Sequence, residues 1–325
     1  MFKKALALSL IGALVITTGA ASVHGAPRAH AAMKHYKIVL IAGIASDAFY
    51  ISMNRGAQME AKKLGATVQF SGSPAAFSPS TQLPYLNAAI AQKPDLILIA
   101  PTDKVALQAP IQKAVSAGIA VILVDTTLGD PSIAVTTISS DNVAGGVAAG
   151  NALAKAVGKK GKVAGVSVTP GISTTDQRLQ GFEMAIKKYA GITNIGTTFA
   201  GDNTTRAASI LKGLVAAHKD LTGVFAMNVV TGDGVTAAAR ESGVGGKLKL
   251  VEFDAGPSQV QGLKAGTITA LIAQEPLMIG TLGVRYGVQY LNGNKSLKKH
   301  YGTPSVIVTK SNVDDPSVAQ FLYTK

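Results

Sequence analysis

The feature that most constrains this chain is an alternation that begins at Tyr36 and persists almost to the last residue. Short, mostly apolar runs are separated by longer segments whose apolar residues recur at helical spacing. Tyr36 to Ala42 (YKIVLIA) reads as a strand; Phe49, Met53, Ala57, Ala61 and Leu64 then mark one face of a helix, which Gly65 ends. The same reading gives strands at Leu96 to Ala100, Ala120 to Val124, Lys162 to Ser167, Gly223 to Met227, Leu248 to Phe253 and Ile268 to Ala273. Helices intervene, as at Asn142 to Val157, Asp176 to Tyr189 and Pro276 to Leu291. A strand with no polar face must be covered on both sides, which requires parallel sheets under helices, so the class is α/β. About ten such strands are more than one doubly wound sheet holds comfortably, which favours two sheets in two lobes over one; an eight-stranded barrel is the rival. No Pro-rich or low-complexity linker separates the halves, so short crossings are expected between them.

The segment before Tyr36 has a different logic. Lys3 and Lys4 precede an apolar run from Ala5 to Ile16, and small residues lead to Ala29-His30-Ala31. Charge, a short greasy stretch and A-x-A is the order of a secretory signal peptide, too short to span a bilayer. Residues 1–31 are therefore expected to be removed, leaving a chain that begins at Ala32. With no cysteine in the sequence, lipid attachment through an N-terminal thiol is ruled out, and the mature protein is expected free in a periplasm. The missing cysteines also exclude a disulfide scaffold and thiolate metal sites. Removing Lys3, Lys4 and Arg28 lowers the 31 basic groups to 28 against 18 acids, a net charge of +10. The lysines fall in separate clusters (Lys159, Lys160 and Lys162; Lys187 and Lys188; Lys298 and Lys299) without interleaved aromatics or a nucleic-acid-binding motif, and read as a solvated basic surface.

Several strands end in a polar residue just where an open parallel sheet binds ligands, beyond its carboxyl edge. Asp125 follows AVILV, Asn228 follows GVFAM, Asp254 follows LVEF and Gln274 follows ALIA. Each alone can be the cap of the next helix. Together with Arg178 they form a set of acceptors, a planar donor fork and amides that do both, the mixture a polyhydroxylated ligand needs. Phe49 and Tyr50 can cover the apolar face of a sugar ring or belong to the core. Enzyme signatures are absent: there is no HExxH, GxSxG, GxGxxG or Walker A sequence, and GVGGKLK (Gly243 to Lys249) reads as a plain turn. Asp314 and Asp315, before Pro316, read as an exposed tail. No cofactor or metal site is expected.

These pieces resemble the periplasmic sugar-binding proteins of the ribose-binding type, which serve ABC importers. The likeness runs from YKIVLIA to SVIVTK and is carried by GAQMEAKKLG (Gly56 to Gly65), AGIAVILVD (Ala117 to Asp125), SSDNVAGG (Ser139 to Gly146), RLQGF (Arg178 to Phe182), GVFAMN, LVEFD and IAQEP (Ile272 to Pro276). The resemblance implies a type I periplasmic binding protein: two Rossmann-like lobes with parallel sheets, joined by a three-strand hinge and closing over one ligand. By that analogy residues 36–139 plus 275–303 form the N-terminal lobe and 140–274 plus 304–325 the C-terminal lobe. It also implies that Phe49, Tyr50, Asp125, Arg178, Asn228, Asp254 and Gln274 contact a sugar. Three positions depart from the ribose pattern: Asp47 in place of Asn, Thr126 in place of Arg, and Asp202 near a lost second-lobe aromatic. These changes add acceptors and remove a donor and a stacking face, which turns the expectation from ribose toward another monosaccharide or a polyol. The implied partners are a permease with its ATPase, with a chemoreceptor as a further reader of the closed form, and the implied state is a monomer. A non-sugar ligand such as a furanone-like signalling molecule is the alternative within this fold. A regulator of the lactose-repressor type would need a helix-turn-helix where the signal peptide stands, and a secreted sugar-modifying enzyme would turn its sugar over.

Overall fold

In the computed structural model, which describes residues 34–74 and 76–323, the apolar runs assemble into two six-stranded sheets. The proposed signal peptide, residues 1–31, lies outside the described residues. The first sheet has the order β11-β5-β4-β3-β1-β2 and is parallel throughout. Its strands are β1 (Lys37–Ile41), β2 (Thr67–Ser71), β3 (Leu96–Ile99), β4 (Ala120–Val124), β5 (Thr136–Ser140) and β11 (His300–Thr303). The second has the order β12-β10-β9-β8-β6-β7, built from β6 (Gly161–Ser167), β7 (Ile192–Phe199), β8 (Leu221–Ala226), β9 (Lys249–Phe253), β10 (Ala270–Gln274) and β12 (Ser305–Val308). Two open sheets dispose of the barrel. The sheets are parallel as expected, except that β12 runs antiparallel to β10. Only Pro304 separates β11 from β12, so the chain leaves one sheet at its carboxyl edge and enters the other from the carboxyl edge.

Helices cover both faces of each sheet. In the first lobe α1 (Ala48–Leu64) and α9 (Pro276–Leu291) share one apolar cluster with β1, β3 and β4, while α2 (Pro79–Gln92) and α3 (Gln108–Ser116) close the other face. In the second, α4 (Asn142–Ala156) and α5 (Ser173–Ile186) cover one face and α6 (Thr204–Ala217) with α7 (Val229–Glu241) the other, and α8 (Pro257–Lys264) packs beside β10. The central strands β3 and β4 are buried at every position. By contrast β2 and β7 are half-exposed edge strands, which is why a search for wholly apolar runs passes over them.

One helix pair in each lobe packs backbone to backbone. A Cβ on Gly56 of α1 would lie 1.9 Å from the Leu277 carbonyl oxygen of α9, and one on Gly280 of α9 would lie 1.9 Å from that of Met53. In the second lobe a Cβ on Gly146 of α4 would lie 2.1 Å from the Arg178 carbonyl oxygen, and one on Gly181 of α5 would lie 2.1 Å from that of Val143. These contacts fix the helices that carry Asp47, Phe49 and Tyr50 at the start of one and Arg178 in the second turn of the other. Gly243 and Gly246 take positive φ of 64° and 77°, so GVGGKLK is the turn its composition suggests. Asp315 caps the short 3-10 turn Pro316–Phe321 from an exposed position.

Candidate functional site

The carboxyl edges of the two sheets face a common cavity. All ten residues singled out from the sequence line it: Asp47, Phe49, Tyr50, Asp125 and Thr126 from the first lobe; Arg178, Asp202, Asn228 and Asp254 from the second; and Gln274 at the end of β10. Its volume is about 70 Å³, against roughly 10–15 Å³ for one water by the same measure, a space of the order of one compact ring.

The backbone delivers the carboxylates. Asp125 and Asp254 follow β4 and β9 at the same place in the two sheets, both with positive φ (63° and 81°), an uncommon conformation that bends the chain sharply at the strand end. Both are buried. Asp125 accepts the Tyr50 hydroxyl at 2.8 Å. Asp254 Oδ1 accepts Gln274 Nε2 at 2.6 Å and the Tyr323 hydroxyl at 2.9 Å, and its Oδ2 accepts the Val229 amide at 3.1 Å with Arg178 Nη1 3.9 Å away.

Among the described residues Arg178 is the one cation lining the cavity, and it is held rigidly. Its Nε donates to Asn142 Oδ1 at 2.9 Å and its Nη1 to the Met227 carbonyl at 2.8 Å, while the guanidinium carbon lies 3.8 Å from the Phe253 ring centroid. Among the described residues Nη2 has no hydrogen-bond partner, so a directed donor remains for a ligand. The cap role weighed for Asn228 is real, and it coexists with a place at the site. Its Oδ1 accepts the Thr231 amide at 3.0 Å and the Thr231 hydroxyl at 2.8 Å, which leaves the Nδ2 amide unspent.

Asp47 caps α1 by accepting the Phe49 amide at 2.8 Å. Burial pushes its carboxyl up to about 7 against that hydrogen bond, and the nearby Asp254, Asp125 and Asp202 carboxylates push the same way. Asp125 rises to about 6, again chiefly by burial, with Arg178 and the Tyr50 hydroxyl opposing. Asp202 lies at the exposed rim, and partial burial raises it against the Phe77 backbone amide. Four carboxylates around one arginine make a site that attracts donors and repels anions.

Two details refine the sequence reading. The Thr126 hydroxyl donates to the Pro101 carbonyl at 2.7 Å and is satisfied by the protein. The aromatic surface missing near Asp202 is made up in part by Phe77, which lines the cavity from the loop before α2. Sequence reasoning passed over Phe77 because nothing in that loop distinguishes it from a core aromatic. It also passed over Thr174 and Thr175, although their positions four and three residues before Arg178 place all three on one helix face. Gln274 is 1% exposed, and among the described residues its Oε1 has no hydrogen-bond partner while its Nε2 is engaged. A buried amide acceptor left open at a cavity wall calls for a donor from a ligand.

Comparison with known proteins bears on the same geometry. A family model described as periplasmic binding protein domain matches residues 38–295. The ribose import binding protein of Salmonella typhimurium is 31% identical over 271 residues, covering 83% of this chain and 89% of that protein. Among solved structures, an ABC transporter solute binding protein from Agrobacterium vitis bound with α-D-tagatopyranose is 44% identical, with a TM-score of 0.87 over 89% of this chain and all of that one. A second protein from the same organism, with bound D-fucose, is 29% identical with a TM-score of 0.83, over 88% of this chain and all of the other.

Proposed function

Since this chain belongs to the periplasmic binding protein family, we propose that it is the solute-capturing component of an ABC importer. It closes over one monosaccharide and delivers it to a membrane permease driven by a partner ATPase. The family is one of solute-binding proteins, and the site is read here as one that holds its ligand unchanged. The observation that carries the reading is the convergence of ten polar and aromatic side chains from two sheets on one cavity, with Gln274 Oε1 and Arg178 Nη2 still unengaged. A sugar ring supplies what is missing: hydroxyls that donate to the carboxylates and to Gln274, oxygens that accept from Arg178 and Asn228, and an apolar face for Phe49, Tyr50 and Phe77.

The proposed contacts are the ten residues named from the sequence, and the lobes are proposed to hinge where the chain passes between the sheets, after β5, after β10 and between β11 and β12. Ribose is disfavoured because Thr126 offers its hydroxyl to Pro101, not to a ligand. The tagatopyranose-bound relative at 44% identity points to a six-membered ketose ring as the first sugar to test. We place the mature protein in the periplasm after loss of residues 1–31, as a monomer.

A thermal-shift screen with D-tagatose, D-fucose, D-arabinose, D-ribose and a set of polyols tests this. A ligand present at 100 times its Kd adds about 2.7 kcal/mol to stability and raises the melting temperature by several degrees. No shift with any sugar or polyol overturns the reading.

A further inference from the structure

After β12 a side chain crosses between the lobes while its backbone stays in the second. Phe321 and Leu322, at the end of the 3-10 turn, belong to the apolar cluster of the second lobe with Leu271, Ala273 and Val308. The next residue, Tyr323, belongs to the cluster of the first lobe with Phe49 and Tyr50, its ring centroid 5.8 Å from that of Phe49 in an edge-on contact. Its backbone amide donates to the Ala255 carbonyl at 3.1 Å, on the second-lobe loop that follows Asp254. Tyr323 is 6% exposed, and its hydroxyl donates to Asp254 Oδ1 at 2.9 Å, the oxygen that also accepts Gln274 Nε2. One side chain is thus packed in the core of one lobe while bonded to a buried carboxylate of the other.

Resting on the sugar-binding reading, we propose that Tyr323 is a positioning residue for the ligand and a clasp of the closed state. It does not line the cavity; it acts through its two neighbours. The hydroxyl and the Gln274 amide hold Oδ1 from behind, which fixes the carboxylate plane and leaves Oδ2 turned toward Arg178 and the Val229 amide. The ring backs Phe49, the aromatic proposed to cover the sugar. Opening the lobes separates the Tyr323 ring from Phe49 or its hydroxyl from Asp254, so the contact opposes release more than capture. This differential contact between two states is what lets a remote group change a dissociation rate.

The test is Tyr323→Phe, which keeps the ring and removes one hydroxyl, with D-tagatose and the other sugars of the screen as probes in stopped-flow and calorimetry. The expected result is a dissociation rate five- to tenfold faster, an association rate within twofold, and a ligand-free melting temperature within about 4 °C of the parent. Because Tyr323 and Gln274 share one acceptor, Tyr323→Phe combined with Gln274→Ala should weaken binding by a factor at least threefold different from the product of the single losses. A parent chain that binds a sugar while Tyr323→Phe releases it at the parental rate overturns the clasp alone. Simple multiplication of the two losses overturns action through Asp254. A parent chain that binds no sugar overturns the reading beneath the proposal.

Discussion

Arg178 and Asp254 divide the work of the site at the level of single groups. The arginine is buried and pinned by Asn142, Met227 and Phe253, and the aspartate by Gln274, Tyr323 and Val229. Neither needs to be ordered by the ligand, so a charge-assisted hydrogen bond to either is worth roughly 1.5–3 kcal/mol. Arg178→Lys, which loses the planar fork, or Asp254→Asn, which loses the charge, should weaken sugar binding by about 10- to 100-fold. Calorimetry on the cognate sugar checks this, with circular dichroism to verify the fold. The acidic cluster also gives a pH signature. Asp47 and Asp125 are raised to about 7 and about 6 from an ordinary 3.8, and buried Glu252, held by Thr236 and Gln259, is raised by burial to about 7. A carboxyl raised on folding is protonated in the native state where the unfolded chain is ionised, so ligand-free stability should fall as pH rises from about 4 to about 7. Sugar hydroxyls that donate to Asp47 and Asp125 favour the ionised forms, so affinity should rise over pH 5 to 8 with release of protons. Titrations at pH 6.5 in two buffers of different ionisation enthalpy should therefore give different apparent heats; identical heats would remove these carboxylates from the contact set.

Among the elements, strands buried on both faces were legible because burial leaves few of their positions polar. The strands β1, β3, β4, β9 and β10 announce themselves, and so do the polar residues that end the last three. The edge strands β2 and β7 alternate weakly, β11 (HYGT) has no apolar run, and β12 takes its direction from a crossing no local pattern encodes. For the same reason Phe77 and Tyr323 escaped notice: their place at or behind the site depends on long-range packing and not on spacing. The glycine contacts between helices are equally invisible in sequence, yet they position the site. Gly146→Ala should push α4 away from the Arg178 backbone, costing about 1–3 kcal/mol by overpacking and weakening sugar binding. Gly213→Ala on α6, where a Cβ meets nothing within 4 Å, should be neutral or stabilising by up to about 1 kcal/mol. Denaturant melts of both variants check the contrast, and equal effects would mean the close helix contact carries no special weight.

At the scale of the whole molecule, the lobes also touch outside the cavity lining. The Thr127 amide donates to Ser173 Oγ at 3.0 Å, Lys104 Nζ lies 3.7 Å from Asp176 Oδ2, and Tyr323 bridges Phe49 and Asp254. These are the contacts that separation of the lobes would break. A ligand bonded to both lobes should shift the population toward closure, and small-angle scattering should show a smaller radius of gyration at saturation than without sugar. The central claim, that one monosaccharide is held between the lobes by residues of both, is tested most directly by calorimetric titration of the mature chain. D-tagatose leads the sugar panel, and variants substituted on either side of the cleft run in parallel. The account predicts one-to-one saturable binding of at least one sugar, weakened at least tenfold by Tyr50→Phe combined with Asp125→Asn in the first lobe and equally by Asp254→Asn in the second. Saturable binding untouched by the substitutions in one lobe, or no saturable heat with any sugar, would contradict it.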